Sequence, residues 1–277
     1  KEVLLVDGGS TDGTIEKVKN LQQAYPNIQL IRNPERYVSQ GFNKAYKVAS
    51  GRYISLVGAH AIYPSDYFSK CIKAIADGEC EASGGFLVQR GRTNTGKAIA
   101  LAMSSQFGVG DTAFRTVKKR TYVDSVAFAV YDRGVFEQIG LLDEDLIRNQ
   151  DDEFHYRLNQ AGFRILMLPE LELVYFVRES LTKLFNQYFQ YGFYKPLVLQ
   201  KVRSGIRLRH IVPALFVVYL LGLPLALWQP LLVTPLVLYL MLALFFALQG
   251  SSSLRIRLTT FAVFPVLHIA YGWGFLR

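Results

Sequence analysis

Val6-Asp7-Gly8-Gly9-Ser10-Thr11-Asp12-Gly13-Thr14 joins a short apolar run, residues 3–6, to a stretch with helical patterning over residues 14–24. Strand, glycine-rich loop and helix in that order form a place where backbone can approach a ligand closely and unpaired helical N–H groups can meet an anion. Asp7, at the C-terminal end of the strand, is positioned to bind a nucleobase or a ribose. A calcium loop is excluded, because Gly9 and Thr11 stand where an EF-hand needs Asp or Asn. Taken alone, the segment is equally a tight turn in which Ser10 or Thr11 caps the helix.

The alternation continues outward. Strand-like runs at 28–31 and 53–57 alternate with helical patterns at 39–49 and 65–76, separated by turns at Asn33-Pro34, Ser50-Gly51 and Tyr63-Pro64. Such a pattern predicts an α/β sheet with parallel strands. Further β-like stretches at 85–88 and 122–131 surround a helix near 97–104, and a helix after Asn149 precedes a strand at 164–168. No internal repeat is present. Cys71 and Cys80 are the only cysteines and lie in no metal-binding spacing, so reduced thiols are expected. A chain opening at Lys1 inside an apolar strand is expected to be truncated at its N-terminus, without the first strand and helix of the domain.

The 277 residues carry 31 Lys and Arg against 22 Asp and Glu, a formal charge of +9. The first 179 residues hold 22 of each sign, so the whole excess, nine basic residues and no acidic one, belongs to the last 98. There it sits beside long apolar runs, which points to a membrane surface and away from nucleic acid. Residues 211–249 contain no Asp, Glu, Lys or Arg, and Pro224, Gln229 and Pro230 divide them. As helices, 211–228 and 231–249 would each be about 27–29 Å long, close to the hydrocarbon thickness. A third uncharged stretch, 258–276, is interrupted by Pro265, Gly272 and Gly274. Lys201, Arg203, Arg207 and Arg209 precede the first span and Arg255 and Arg257 the third, so the positive-inside rule predicts a multi-pass cell-membrane protein whose preceding domain is cytoplasmic.

Asp7-Gly8-Gly9-Ser10-Thr11-Asp12-Gly13-Thr14 resembles the nucleotide-sugar loop of family 2 glycosyltransferases, which have the GT-A fold. The order then runs, as in that family, through Gly41-Phe42-Asn43-Lys44-Ala45 and Ala49-Ser50-Gly51 to Gly58-Ala59-His60-Ala61-Ile62-Tyr63-Pro64. The last segment is similar to the Asp-Ala-His-Ala-x-Tyr-Pro variant of the succinoglycan-type, ExoA-like glucosyltransferase subgroup. Gly84-Gly85, Gly96-Lys97-Ala98-Ile99, Phe107-Gly108-Val109-Gly110, Val123-Asp124-Ser125-Val126 and Arg148-Asn149-Gln150-Asp151-Asp152-Glu153 resemble the same subgroup. The resemblance implies donor-binding roles for Asp7, Gly9, Ser10, Asp12 and Asn43. It also implies a divalent cation, Mg²⁺ or Mn²⁺, that neutralises the leaving diphosphate. The family's first metal-binding Asp is Gly58 here, which supplies no ligand and leaves His60 as the implied one.

Gln150-Asp151-Asp152-Glu153 stands where the family carries its acceptor-side acidic motif, with Asp151 aligned to the general base. An inverting displacement needs a carboxylate that takes the acceptor hydroxyl's proton as its oxygen attacks the anomeric carbon. By itself the cluster reads first as a helix start whose acids complement the dipole. Asp152 and Glu153 are implied on the acceptor side. So are Gln187, Gln190 and Tyr191, which fall where polymerising relatives carry Gln-x-x-Arg-Trp. The departures from that motif suggest a non-processive enzyme, and six aromatics between Phe185 and Tyr194 suit an interfacial helix.

These readings predict a GT-A domain, Rossmann-like with a mostly parallel sheet, over residues 1–178. An amphipathic interfacial region, 179–210, and a transmembrane region of two or three helices, 211–277, follow. The expected activity is transfer of a hexose, glucose by resemblance, from a UDP-sugar to a polyprenyl-diphosphate-linked saccharide in surface polysaccharide synthesis. A second class of reading is a catalytically impaired relative that scaffolds a polysaccharide assembly complex. A transporter has little support, since the spans carry no charge.

Overall fold

In the computed structural model, residues 1–203, 206–250 and 253–277 are described. Through residue 76 the main strands and helices lie close to where the periodicity places them, with a short added strand at Ala61–Ile62. The chain opens with β1 (Val3–Asp7), α1 (Thr14–Ala24), β2 (Ile28–Arg32), α2 (Val38–Val48), β3 (Tyr53–Ser55), β4 (Ala61–Ile62) and α3 (Tyr67–Ala76). It continues with β5 (Ala82–Arg90), α4 (Asn94–Met103), α5 (Gln106–Val109), α6 (Ala113–Thr116), β6 (Thr121–Val123), β7 (Val130–Asp132), α7 (Arg133–Ile139), α8 (Gln150–Gln160) and β8 (Ile165–Phe176). Strands β1 and β2 pair in parallel, Val3 beside Ile28 through Asp7 beside Arg32.

The main sheet has the order β3-β7-β5-β8-β4, with β6 also on β8. Strands β5 and β8 are parallel, while β7 lies reversed between β3 and β5, and β4 and β6 are antiparallel to β8. The mostly parallel sheet expected from alternation is therefore corrected to a mixed one. The cause lies after β5. Helix α4 does not cross back over the sheet; its Ala98, Ile99 and Ala102 pack into the cluster that includes Val263, Phe264 and Leu267 of the last helix. The chain then re-enters with the opposite heading, and the run read as one β stretch pairs first with β8 (β6) and then with β5 and β3 (β7). One face of the sheet is covered by α3, through Tyr67, Cys71 and Ile75, and the other by α2, α7 and α8, through Phe42, Phe136, Phe154 and Leu158. Both cysteines are buried and free.

After β8 come α9 (Leu181–Val202), α10 (Leu208–Gly222), α11 (Thr234–Gln249) and α12 (Leu254–Leu276). Three helical stretches, Leu208–Leu227, Pro230–Gln249 and Leu254–Leu276, are long and apolar enough to cross a membrane. The third, interrupted by Pro265 in sequence, is one continuous helix and the most deeply packed of the three. The aromatic helix α9 is clasped by α12 as well as being amphipathic. A Cβ at Gly192 would lie 2.0 Å from the Tyr271 carbonyl oxygen, and one at Gly274 would lie 2.1 Å from that of Phe189. The two backbones touch where side chains are missing, as in small-residue helix pairs. The basic flank of the first span turns toward the α/β domain: Lys201 pairs with Asp143 and Asp145, and Arg207 and Arg209 pair with Asp111 and Asp124.

Gly192→Ala should therefore clearly lower the thermal midpoint in detergent, since overpacking of this kind destabilises by about 1–3 kcal/mol or more. Gly222→Ala, where an added Cβ meets nothing within 4 Å, should be neutral. Equal midpoints for the two variants would show that the α9–α12 contact is not tight.

Candidate active site

The first loop is organised by Asp7. Its buried carboxylate accepts hydrogen bonds from the backbone N–H of Gly9 (2.8 Å) and of Ser10 (3.1 Å). Hydrogen bonds from Ser10, and then from Gly9, hold this carboxyl below the usual range. Gly9 has φ +91° and Gly13 φ +82°, backbone that favours glycine. Asp12 accepts from the Thr14 N–H (3.2 Å) and hydroxyl (2.6 Å) at the start of α1. Arg36, at φ +66°, folds over Gly8 and Gly9, its guanidinium 3.8 Å from where a Gly9 Cβ would be. Asn43 of α2 is engaged at both ends of its amide: its Nδ2 donates to the Leu142 carbonyl (2.9 Å) and to Glu144 (2.8 Å), and its Oδ1 accepts from Leu142 N–H (3.1 Å). It ties α2 to the 142–144 segment.

A cavity of about 1620 Å³ opens between the C-terminal ends of the sheet strands, α8, α9 and the apolar helices. Ligands of open α/β sheets gather at such strand ends. Gly58, His60, Tyr175 and Arg178 line it from the sheet, Arg148 through Asp152 from the start of α8, and Gln187, Gln190 and Tyr191 from α9. Val212, Pro213 and Phe216 of α10 and Leu267 of α12 give it an apolar end. The residues of the first loop are not on its wall, whereas Val38 at the start of α2 is.

The three successive acids of α8 meet three fates. Glu153, 3% exposed, takes both ends of the Arg157 guanidinium (2.6 and 2.8 Å) and faces the core. Asp152 pairs with Lys195 of α9, which is itself 6% exposed. Asp151 is exposed, lines the cavity and makes no hydrogen bond or ion pair among the described residues. Close behind it, His155 is buried and shares a 2.7 Å hydrogen bond with Tyr131. On α9, Gln190 accepts from Arg148 (2.9 Å), Gln187 donates to the Tyr191 hydroxyl (2.9 Å), and Asn149 donates to the Tyr191 carbonyl (2.9 Å). Asp151, Asp152, His60, Gln187, Gln190 and Tyr191 thus share one cavity; Asn43 and Glu153 are held in the fold.

The residues present do not fit a protein-held divalent cation. Among the described residues no three His, Cys, Asp or Glu side chains gather, and Mg²⁺ or Mn²⁺ favour carboxylate oxygen. His60 offers one nitrogen, its pKa lowered first by desolvation beside Phe128 and Tyr175 and second by Arg178. A Cβ on Gly58 would lie 2.5 Å from the Phe128 ring, and Phe128 has φ +56°. The aromatic ring fills the space a longer side chain would need.

Sequence reasoning missed Arg36, Arg115, Lys195, Tyr188 and Tyr271. Arg36 had a signal in the Asn33-Pro34 turn that brings it back over the loop. The others reach the cavity through tertiary packing alone.

The profile described as Glycosyl transferase family 2 matches residues 1–140. The succinoglycan biosynthesis protein ExoA of Rhizobium meliloti (strain 1021) is 33% identical over 216 residues, 76% of this chain and 64% of the relative. The dolichyl N-acetyl-alpha-D-glucosaminyl phosphate 3-beta-D-2,3-diacetamido-2,3-dideoxy-beta-D-glucuronosyltransferase of Methanococcus voltae is 30% identical over 207 residues, 72% of this chain and 64% of that protein. The chain thus spans a little under two thirds of the length of both relatives. In fold it is similar to the mannosyltransferase PcManGT from Pyrobaculum calidifontis, solved with GDP-Man and Mn²⁺. The TM-score is 0.59 at 18% identity, over 99% of this chain and 77% of that one. A GT-A-like mixed sheet, the strand-end loop and a family profile over half the chain lead to one conclusion: the chain belongs to glycosyl transferase family 2.

Proposed function

We propose that the protein is a membrane-bound, inverting glycosyltransferase of polysaccharide biosynthesis. It transfers a hexose, glucose by its likeness to the ExoA-like subgroup, from a UDP-sugar to a polyprenyl-diphosphate-linked saccharide at the cytoplasmic face of the cell membrane. The observation that carries the reading is Asp151: an unpaired carboxylate at a helix start, on the wall of a cavity that has a polar end at the sheet and an apolar end among helices long enough to span a bilayer. That shape suits an amphiphilic acceptor whose sugar approaches Asp151 while its chain lies along α10. The archaeal relative's name also specifies a lipid-linked saccharide.

In this mechanism Asp151 accepts the proton of the acceptor hydroxyl as the oxygen attacks the anomeric carbon, and the nucleoside diphosphate departs from the opposite face. The loop of Asp7, Gly9, Ser10 and Asp12, with Arg36 above it, holds the nucleotide. Gln187, Gln190 and Tyr191 line the acceptor's path, and Asp152 acts through its pair with Lys195, which fixes α9 against the catalytic helix. No step is assigned to a cation, because the donor set does not fit one. That misfit at Gly58 is also what favours the second reading, an impaired relative that scaffolds an assembly complex.

Asp151→Asn should lower turnover with UDP-glucose and a prenyl-diphosphate-linked sugar by 100-fold or more, on the order of a general base's contribution, with UDP binding little changed. Unchanged turnover would remove Asp151 from its role. No turnover by the unaltered protein would favour the scaffold. Gly58→Asp alone should not create Mn²⁺-dependent UDP binding, because Phe128 occupies the space. Combined with Phe128→Gly it should, as a Mn²⁺ titration of UDP affinity would reveal; a gain from the single change would show that the ring yields.

A further inference from the structure

Buried polar atoms are nearly always hydrogen-bonded, and a group of exceptions in one place calls for an explanation. Among the described residues, four such atoms belong to residues that line the cavity: Arg115 Nε, Gln187 Oε1, Tyr188 Oη and Tyr271 Oη. They come from three elements, α6, α9 and α12. Tyr188 is 7% exposed. Arg115 lies beside the Tyr188 phenol and acts on it through its charge and a marginal hydrogen bond, but Arg115 Nε and Tyr188 Oη have no partner in good hydrogen-bonding geometry. The Gln187 amide is fixed by its other end, whose Nε2 donates to Tyr191 (2.9 Å) and reaches toward Tyr175 (3.5 Å), so Oε1 cannot turn away to find a partner.

The chemistry of the four restricts what completes them. Gln187 Oε1 only accepts, so its partner must donate; Arg115 Nε only donates, so its partner must accept; the two phenols do either. A deprotonated phosphate offers no donor and a lipid chain offers neither. A ring bearing several hydroxyls offers both, and the edge-to-face Tyr188–Tyr191 pair, ring centroids 5.6 Å apart, adds an aromatic wall for its C–H faces. We propose that Arg115, Gln187, Tyr188 and Tyr271 form a subsite for an uncharged sugar ring of the acceptor, held between the catalytic domain and the last apolar helix. The proposal rests on the transferase reading for the acceptor's lipid-linked nature. It adds that the enzyme recognises the saccharide already on the lipid, through a helix, α12, that lies outside the catalytic domain. The subsite shares its cavity with Asp151, which is where a sugar hydroxyl must arrive to be deprotonated.

Binding of farnesyl diphosphate carrying glucose, galactose or N-acetylglucosamine, compared with sugar-free farnesyl diphosphate, tests this in the detergent-solubilised full chain. The unaltered protein should prefer at least one sugar-bearing lipid. Tyr188→Phe and Tyr271→Phe, which keep the rings and remove only hydroxyls lacking protein partners, should each reduce that preference about five- to tenfold, the weight of one hydrogen bond. UDP-glucose against UDP forms the second arm. Equal binding of sugar-bearing and sugar-free lipids by the unaltered protein would overturn the proposal and leave water as the partner of these atoms. Loss of the UDP-glucose preference in the variants, with the lipid preference intact, would overturn it in favour of the donor's sugar. A preference without turnover would sink the transferase reading and leave the subsite standing.

Discussion

The close approach of α9 and α12 is the contact on which the site depends. At Gly192 and Gly274 one backbone rests on the other, with no room for a Cβ. Because α9 is the direct continuation of β8 and α12 is the most buried of the apolar helices, this seam joins what the lipid would hold to what the sheet holds. Dispersion over a long, close helix contact is strong only when the backbones come near, and glycine is the residue that permits it. The cavity is the space left beside the seam, so its walls are as fixed as the seam itself.

Ion pairs then set the orientation of the domain on those helices. Arg207 and Arg209 at the start of α10 share Asp111 and Asp124, and Lys201 near the end of α9 holds Asp143 and Asp145. The basic excess of the last 98 residues, first legible as a topology signal, is therefore spent in part on the protein's own acids. An exposed pair contributes little alone, but several pairs on two helix ends form a network with a defined geometry. The buried Lys195–Asp152 pair is different in kind. Its desolvation is costly, and its worth lies more in specifying how α9 meets α8 than in net stability.

Much of this was readable in local pattern. Helix α1 and strand β2 follow directly from periodicity, and Gly9 and Gly13 have the positive φ that a glycine-rich turn implies. The apolar spans were legible because absence of charge over some twenty residues has one main physical use. What local pattern could not carry was pairing across distance. The reversed heading of β7 depends on α4 leaving the sheet for α12. Asn43, implied on the donor side by resemblance, has its amide engaged at both polar atoms by Leu142 and Glu144, about a hundred residues away. Likewise an aromatic-rich helix beside cations reads as lying on a bilayer, and only the glycine contacts reveal a packed seam.

The isolation of Asp151 follows from helix geometry more than from anything special in its own surroundings. Successive residues on an α-helix point about 100° apart, so three consecutive acids cannot share one environment. Glu153 is one turn from Arg157 and closes an i,i+4 pair against the core. Asp152 points at α9, where Lys195 has been buried by the same packing that makes the seam. Asp151 takes the remaining direction, into the cavity, at a helix start whose dipole tolerates the negative charge. Two carboxylates neutralised in place allow a third to stand unpaired without the repulsion that three like charges would exert. The acidic run is thus one unpaired carboxylate and two paired ones, a division that becomes visible only once α9 is in position.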